Sequence, residues 1–248
     1  MYIKKTKKAL DAIKIIEYMT ILSWNIHNTY HSFLKYRKDS VGQLLNLHNP
    51  DIACFQEYGE NIDLKTDFRK TYLSNYDFCN VRESLGIAIK KSSFEFITTV
   101  DPGNTHVNIS IIRNINNDKK FMVVNTHLDY KKLFVDDSYR LQQIKSIQKL
   151  IEENNKDYPI IFTGDFNALP DSSPIYETEK YYRDSFMFQF SEYEGTWCDY
   201  GKDKPFKKRI DYIFFNEKCH CDMYKIISEK INNKYPSDHF PIIANILF

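Results

Sequence analysis

Six short apolar segments of this chain end on, or open from, an Asn, Glu, His or Asp. Asn25 follows Ser23-Trp24, Glu57 follows Phe55-Gln56, and His127 follows Asn125-Thr126. Asp165 and Asn167 follow Ile160-Ile-Phe-Thr163 across Gly164. Asp211 opens a run after Arg209-Ile210, and Asp238-His239 precedes the last run. Short apolar runs with polar punctuation read as buried strands. A carboxylate at the tip of such a strand lies where loops gather and sites form. Singly, each residue has a plainer explanation. Asn25 would be a turn former, Glu57 a solvated strand end, His127 a hydrogen-bonded core histidine, and Asp165 with Asn167 a β-turn. Six tips in one chain point instead to strands ending at one shared edge.

The rest of the pattern agrees with a sheet protein. Residues 20–26, 52–55, 86–90, 94–100 and 107–113 read as strands. Ser40 caps a predicted helix whose apolar face is Val41, Leu44, Leu45 and Leu47, and Asn49-Pro50 ends it. A strand at 121–126, a helix over 138–153 and a strand at 159–163 form a β-α-β unit, with Leu141, Ile144, Ile147, Leu150 and Ile151 inward. Residues 210–215 and 241–247 add two strands. Many strands with few helices predict an α/β sandwich. No Gly-rich loop follows any strand, which argues against a dinucleotide-binding sheet. No repeat or low-complexity linker divides residues 19–248, so one domain is expected there. Residues 1–18 read as a basic extension, helical by the spacing of Leu10, Ile13 and Ile16, and Met19 stands where a minimal domain would begin.

Lys+Arg 34 against Asp+Glu 33 leaves a formal charge of +1. That excludes binding of a polyanion by bulk charge, though not phosphate chemistry at one metal-centred site. Cys54, Cys79, Cys198, Cys219 and Cys221 have no framework spacing, which suits a reducing compartment. Cys219-His220-Cys221 is too tight for a zinc site and lacks a second Cys pair, so these cysteines read as structural. No stretch reaches the ~18 apolar residues of a spanning helix. Asp11, Lys14 and Glu17 interrupt any signal-peptide core. The expectation is a soluble intracellular protein, cytoplasmic or nuclear, with no stable membrane insertion and no obligate protein partner.

Carboxylate and amide oxygens suit Mg²⁺ or Mn²⁺ rather than zinc. Such a metal polarises a phosphoryl oxygen. A His paired to an Asp can take a proton from water, because the carboxylate fixes its tautomer and stabilises the imidazolium. A second His can bond phosphoryl oxygens as they gain charge. This residue set suits phosphoester hydrolysis.

At these residues the chain resembles the endonuclease/exonuclease/phosphatase superfamily, the DNase I-like fold. The matching pieces are Ser23-Trp-Asn-Ile-His27, Phe55-Gln-Glu57, Asn125-Thr-His-Leu-Asp129, Gly164-Asp-Phe-Asn167, Arg209-Ile-Asp-Tyr-Ile-Phe214 and Ser237-Asp-His239. They occur in family order. The resemblance implies a four-layer α/β sandwich, two mixed β-sheets face to face with helices outside. It implies Glu57 as principal metal ligand, with Asn25 beside it and Asp238 as a further acidic ligand. It implies Asp165 and Asn167 as the pair orienting nucleophile and phosphate, His239 as general base, Asp211 as its partner, and His127 as the phosphate-stabilising histidine. The His127 segment is closer to the general hydrolase, deadenylase and phospholipase branches than to the abasic-site endonucleases. The tyrosyl-DNA phosphodiesterase branch shares the Trp-Asn-Ile, Gln-Glu and Ser-Asp-His pieces. The chain is short for an inositol polyphosphate phosphatase or a neutral sphingomyelinase, and its cysteines do not fit secreted DNase I.

The leading reading is a Mg²⁺-dependent phosphodiesterase acting on nucleic acid, with Mn²⁺ as the other suitable cation. A second reading is a phosphatase or phospholipase C-like hydrolase of inositol phosphates or phospholipid head groups. A third is a catalytically silent binding module, against which the intact acidic and histidine set argues. Lys204, Lys207, Lys208 and Arg209 cluster just before Asp211, interleaved with Trp197, Tyr200 and Phe206. Charge runs are commonly solvated loops. This one adjoins a candidate catalytic residue, where cations meet phosphates and aromatics stack on bases. Replacing Lys204, Lys207 and Lys208 with Ala is expected to weaken turnover of nucleic acid and its salt dependence. Equal loss on a small phosphomonoester would refute a substrate loop over 195–209.

Overall fold

The computed structural model describes residues 18–27, 34–59, 62–82, 84–103, 105–131, 135–189, 195–202 and 207–248. Residues 1–17 of the predicted extension, Lys204 and Phe206 lie outside the described residues. Strand pairing begins with β1 (Met19–Asn25), which lies parallel to β2 (Ile52–Gln56). Helix α1 (Leu34–His48) connects them. Helix α2 (Ile62–Tyr72) leads to the hairpin β3 (Tyr76–Arg82) and β4 (Leu85–Lys90). With β11 (His220–Ile226) and β12 (Ile242–Leu247) these strands form a six-stranded sheet in the order β11-β12-β1-β2-β4-β3.

The second sheet has the order β5 (Phe94–Val100), β6 (Val107–Asn114), β7 (Lys120–His127), β8 (Ile160–Asp165), β10 (Asp211–Phe215), β9 (Arg183–Asp184). It begins with the meander β5 (Phe94–Val100), β6 (Val107–Asn114) and β7 (Lys120–His127). Helix α3 (Ser138–Asn154) then carries the chain to β8 (Ile160–Asp165), parallel to β7. Helix α4 (Ser173–Glu179), β9 (Arg183–Asp184) and β10 (Asp211–Phe215) follow. Each sheet holds one parallel pair among antiparallel ones, so both are mixed.

Alternation along each strand produces the layers. Ile21, Cys54, Ile87, Val123, Ile161, Ile213 and Ile242 point into a core shared by both sheets. Their neighbours point outward. Leu22, Trp24 and Phe55 pack with Val41, Leu44 and Leu45 of α1 and Phe68 of α2. Val124, Phe162 and Phe214 pack with Ile144, Ile147 and Ile151 of α3. The result is the expected helix-sheet-sheet-helix sandwich, each buried Ile or Phe worth about 1.5–3 kcal/mol.

Three local expectations need correction. Helix α1 starts at Leu34 rather than Ser40, and Leu47 is 66% exposed instead of joining the apolar face. Helix α2 and strands β3 and β11 were not read from the sequence, where they are short and rich in polar residues. Cys219 and Cys221 are buried in the intersheet core, as their structural reading requires. Among the described residues no helix is long and apolar enough to cross a membrane.

Gly164 is required by the close approach of β8 to β7. Its φ is +147°, and a Cβ there would lie 2.1 Å from the carbonyl oxygen of its register partner Thr126. Gly164→Ala should destabilise the protein by about 3 kcal/mol or more, measured by denaturant unfolding. A loss under 1 kcal/mol would contradict this packing.

Candidate active site

The parallel pairs β1–β2 and β7–β8 all end at one edge of the sandwich, and the antiparallel β10 and β12 start there. Topology therefore gathers the strand-tip residues. The first sheet brings Asn25, Glu57, Asp238 and His239. The second brings His127, Asp165, Asn167 and Asp211. Asp165 and Asp211 are direct register partners across β8 and β10, and His127 is paired with Asp165 across β7.

Asp165 lies at the centre and is buried. Its Oδ2 accepts from Asn25 Nδ2 at 3.0 Å and lies 3.5 Å from His127 Nε2 and 3.8 Å from His239 Nε2. Its Oδ1 accepts from the Asn167 backbone N–H at 2.9 Å. Asn167 has φ 47°, and its side-chain Nδ2 donates to the Leu128 carbonyl at 2.9 Å, so the amide oxygen is what it keeps for a ligand.

His239 Nδ1 lies 2.9 Å from Asp211 Oδ2. A carboxylate can only accept, so this contact places a proton on Nδ1 and leaves Nε2 on the Asp165 side. Burial disfavours the charged imidazole, but Asp211 and then Asp165 outweigh it and raise the His239 pKa above the ordinary histidine value. The segment is held from several sides. Trp24 Nε1 donates to the His239 carbonyl at 3.0 Å, Ser237 Oγ donates to the Asn25 carbonyl at 2.7 Å, and Trp197 bridges His239 backbone to backbone. Thr196 Oγ1 accepts from both Ile210 and Asp211 backbone N–H groups at 3.1 Å.

Sequence reasoning missed several of these supports. Gln56 Nε2 donates to Asn125 Oδ1 at 2.7 Å, and Asn125 Nδ2 donates to the carbonyls of Phe55 and Gly86. This buried pair ties β2 to β7 beneath the site. Both residues stood inside the motifs, but nothing in their spacing revealed the partnership. His27 was also passed over. Its Nδ1 lies 3.0 Å from Asp238 Oδ1 and 2.8 Å from the Tyr200 hydroxyl.

Two expected roles look different in three dimensions. Asn25 was expected to ligate a metal through its oxygen. Its Oδ1 instead accepts from the His27 backbone N–H at 2.9 Å, and its Nδ2 bridges Glu57 Oε1 (3.1 Å) and Asp165 Oδ2. A backbone N–H only donates and carboxylates only accept, so these partners dictate the amide orientation. Arg209 was expected to meet substrate phosphate. It is buried, donates to Asp184 Oδ2 at 2.6 Å, and lies over the rings of Phe186 and Tyr212. Lys207 is exposed, and Lys208 is half-buried with its Nζ 4.2 Å from the centre of the Trp197 ring.

The donor set fits a divalent cation. Glu57, Asp165, Asp211 and Asp238 converge on this edge, and among the described residues no Lys or Arg pairs with any of them. Their ionic neighbours are histidines. Asp211 Oδ1 is buried without a hydrogen-bond partner, a costly state for a carboxylate oxygen. Asp165, Asp211 and His239 present atoms within 4.8 Å of one another. The Asp211–His239 contact is already a hydrogen bond; Glu57 and Asp238 are the other two carboxylates of this edge that could hold a cation.

Known proteins share this architecture. The Endonuclease/Exonuclease/phosphatase family model matches residues 22–239. Protein angel of Drosophila melanogaster is 44% identical over 57 residues, 23% of this chain and 16% of that protein. The mannosyl-6-phosphatase Bt3783 of Bacteroides thetaiotaomicron superimposes with a TM-score of 0.77 at 19% identity, over 93% of this chain and 100% of the other. TDP2 of D. rerio, solved with a single-strand DNA product, superimposes at 0.75 and 21% identity, over 94% and 100%.

With carboxylates crowded at this edge, added Mg²⁺ or Mn²⁺ is expected to stabilise the fold. At a hundredfold excess over Kd the gain should be about 2.7 kcal/mol, read as a rise in thermal midpoint that Glu57→Gln reduces. An unchanged midpoint over a millimolar range would argue against a cation here.

Proposed function

This chain belongs to the endonuclease/exonuclease/phosphatase family of phosphoester hydrolases, and we propose that it is a Mg²⁺- or Mn²⁺-dependent phosphodiesterase acting on nucleic acid. The observation that carries the hydrolytic reading is the buried Asp211–His239 pair, whose Nε2 is turned toward Asp165. Once His239 carries a single proton, on Nδ1 facing Asp211, its Nε2 accepts a proton from water. Asp211 stabilises the imidazolium that results. Asp165 orients that water, and the Asn167 amide helps to place the phosphate. His127 donates to phosphoryl oxygens as they gain charge. Glu57 and Asp238 would hold the cation, which supplies charge against the developing negative charge of the transferred group.

The preference for nucleic acid is supported by Trp197 with Lys208 beside its ring and exposed Lys207 close in sequence, an aromatic and cationic set suited to bases and phosphates. The fold likeness to TDP2 bound to a DNA product is compatible with it. A second reading, a phosphatase of sugar or inositol phosphates, has in its favour the equally good superposition on a mannosyl-6-phosphatase.

Asp165→Ala and His239→Ala should each lower hydrolysis by at least about a thousandfold, and EDTA should abolish it. Full activity in either variant would sink the mechanism. Single-stranded DNA, duplex DNA, RNA, 5′-tyrosyl DNA, phosphoinositides and sugar phosphates, assayed with Mg²⁺ and Mn²⁺, separate the two readings. Turnover confined to the phosphomonoesters would favour the phosphatase.

A further inference from the structure

Residues 195–202 form a strap across the segment that carries Asp238 and His239. The Asp238 carbonyl accepts from the Cys198 and Asp199 backbone N–H groups at 2.7 and 3.1 Å, and the Phe240 N–H donates to the Thr196 carbonyl at 2.7 Å. At the turn of the strap, Asp199 and Tyr200 have φ values of 42° and 53°. Two consecutive non-glycine residues in the left-handed region are uncommon and persist only where surrounding contacts hold them, often at functional sites. This turn aims the Tyr200 hydroxyl at His27 Nδ1, 2.8 Å away, and the same nitrogen lies 3.0 Å from Asp238 Oδ1. Ser237 Oγ is 3.2 Å from that carboxylate oxygen. Arg37 closes the arrangement from α1. It donates to the carbonyls of Ile26 and His27 and to that of Pro236 at 3.3 Å, and its guanidinium lies 5.6 Å from the centre of the Tyr200 ring.

We propose that Tyr200 is a positioning residue which, through the His27 imidazole, fixes the Asp238 carboxylate, so that the strap sets how tightly the site holds its divalent cation. The proposal rests on the reading of Glu57 and Asp238 as the cation-holding pair. A carboxylate only accepts, so the His27–Asp238 contact needs the proton on Nδ1, and the phenol oxygen beside that proton limits rotation of the ring. A carboxylate held in one orientation binds a cation without having to be ordered first. Groups that orient a metal ligand in this way commonly change affinity 10–100-fold when removed.

Mn²⁺ binding to the full chain, followed by calorimetry, tests this in wild type, Tyr200→Phe, His27→Gln and the double variant. Phe keeps the ring beside Arg37 and removes only the hydroxyl. Tyr200→Phe should weaken Mn²⁺ affinity about tenfold, with the thermal midpoint of the metal-free protein unchanged. Turnover should fall at limiting Mn²⁺ and recover at saturating Mn²⁺. His27→Gln should weaken affinity at least as much, and the double variant no more than His27→Gln alone, because both act through one path. Affinity within twofold of wild type in Tyr200→Phe, while Glu57→Gln binds weakly, would overturn the Tyr200 role and leave the metal reading standing. So would additive losses in the double variant. Absence of Mn²⁺ binding in wild type, or undiminished binding in Glu57→Gln, would bring down the metal reading and this inference together.

Discussion

The site exists only while the two sheets keep one position relative to each other. His239 enters from the first sheet, and Asp211, the carboxylate bonded to it, enters from the second. Asn25 reaches Asp165 across the same gap, and Gln56 reaches Asn125 just beneath. These contacts are buried, where a misplaced polar group loses water without gaining a partner. The apolar intersheet core supplies the adhesion, which is non-directional. The polar cross-links select the one alignment in which His239 and Asp211 meet.

That alignment concentrates negative charge. Four carboxylates share one edge, and among the described residues the ion-pair partners of Asp165, Asp211 and Asp238 are histidines. Such an arrangement is unfavourable in isolation, and a bound cation would relieve it. Left-handed backbone also occurs at this edge. His27, Glu57 and Asn167, each just past a strand tip, have φ values of 45°, 50° and 47°. Turning sharply after the strand keeps these side chains at the edge instead of continuing the sheet.

Much of this was legible in the residues. Strand tips at Asn25, Glu57, His127, Asp165 and Asp211 were readable because period-two burial is a local property that ends where polar residues begin. The helix over 138–153 was readable because its inward face repeats at helical spacing. The misreadings have an equally local origin. Leu47 has the spacing of a buried residue, but it lies at the exposed end of α1. Arg209 belongs to a run of cations, and alternation alone could not tell that Asp184 and two aromatic rings would enclose it. Asn25 is an oxygen donor by composition, but its neighbours dictate which end of the amide faces the acids.

The sequence by itself determined which residue types stand at the strand tips and in what order, and hence the family and the class of chemistry. Those depend on side-chain identity and short-range periodicity. The tertiary structure alone decided which tips touch: that Gln56 meets Asn125, that His27 meets Asp238 and Tyr200, and that Arg209 turns away from the site. These pairings join residues far apart in the chain, and they follow from strand order and sheet-to-sheet packing. No local pattern encodes that order, because each strand buries its apolar face equally well beside several neighbours.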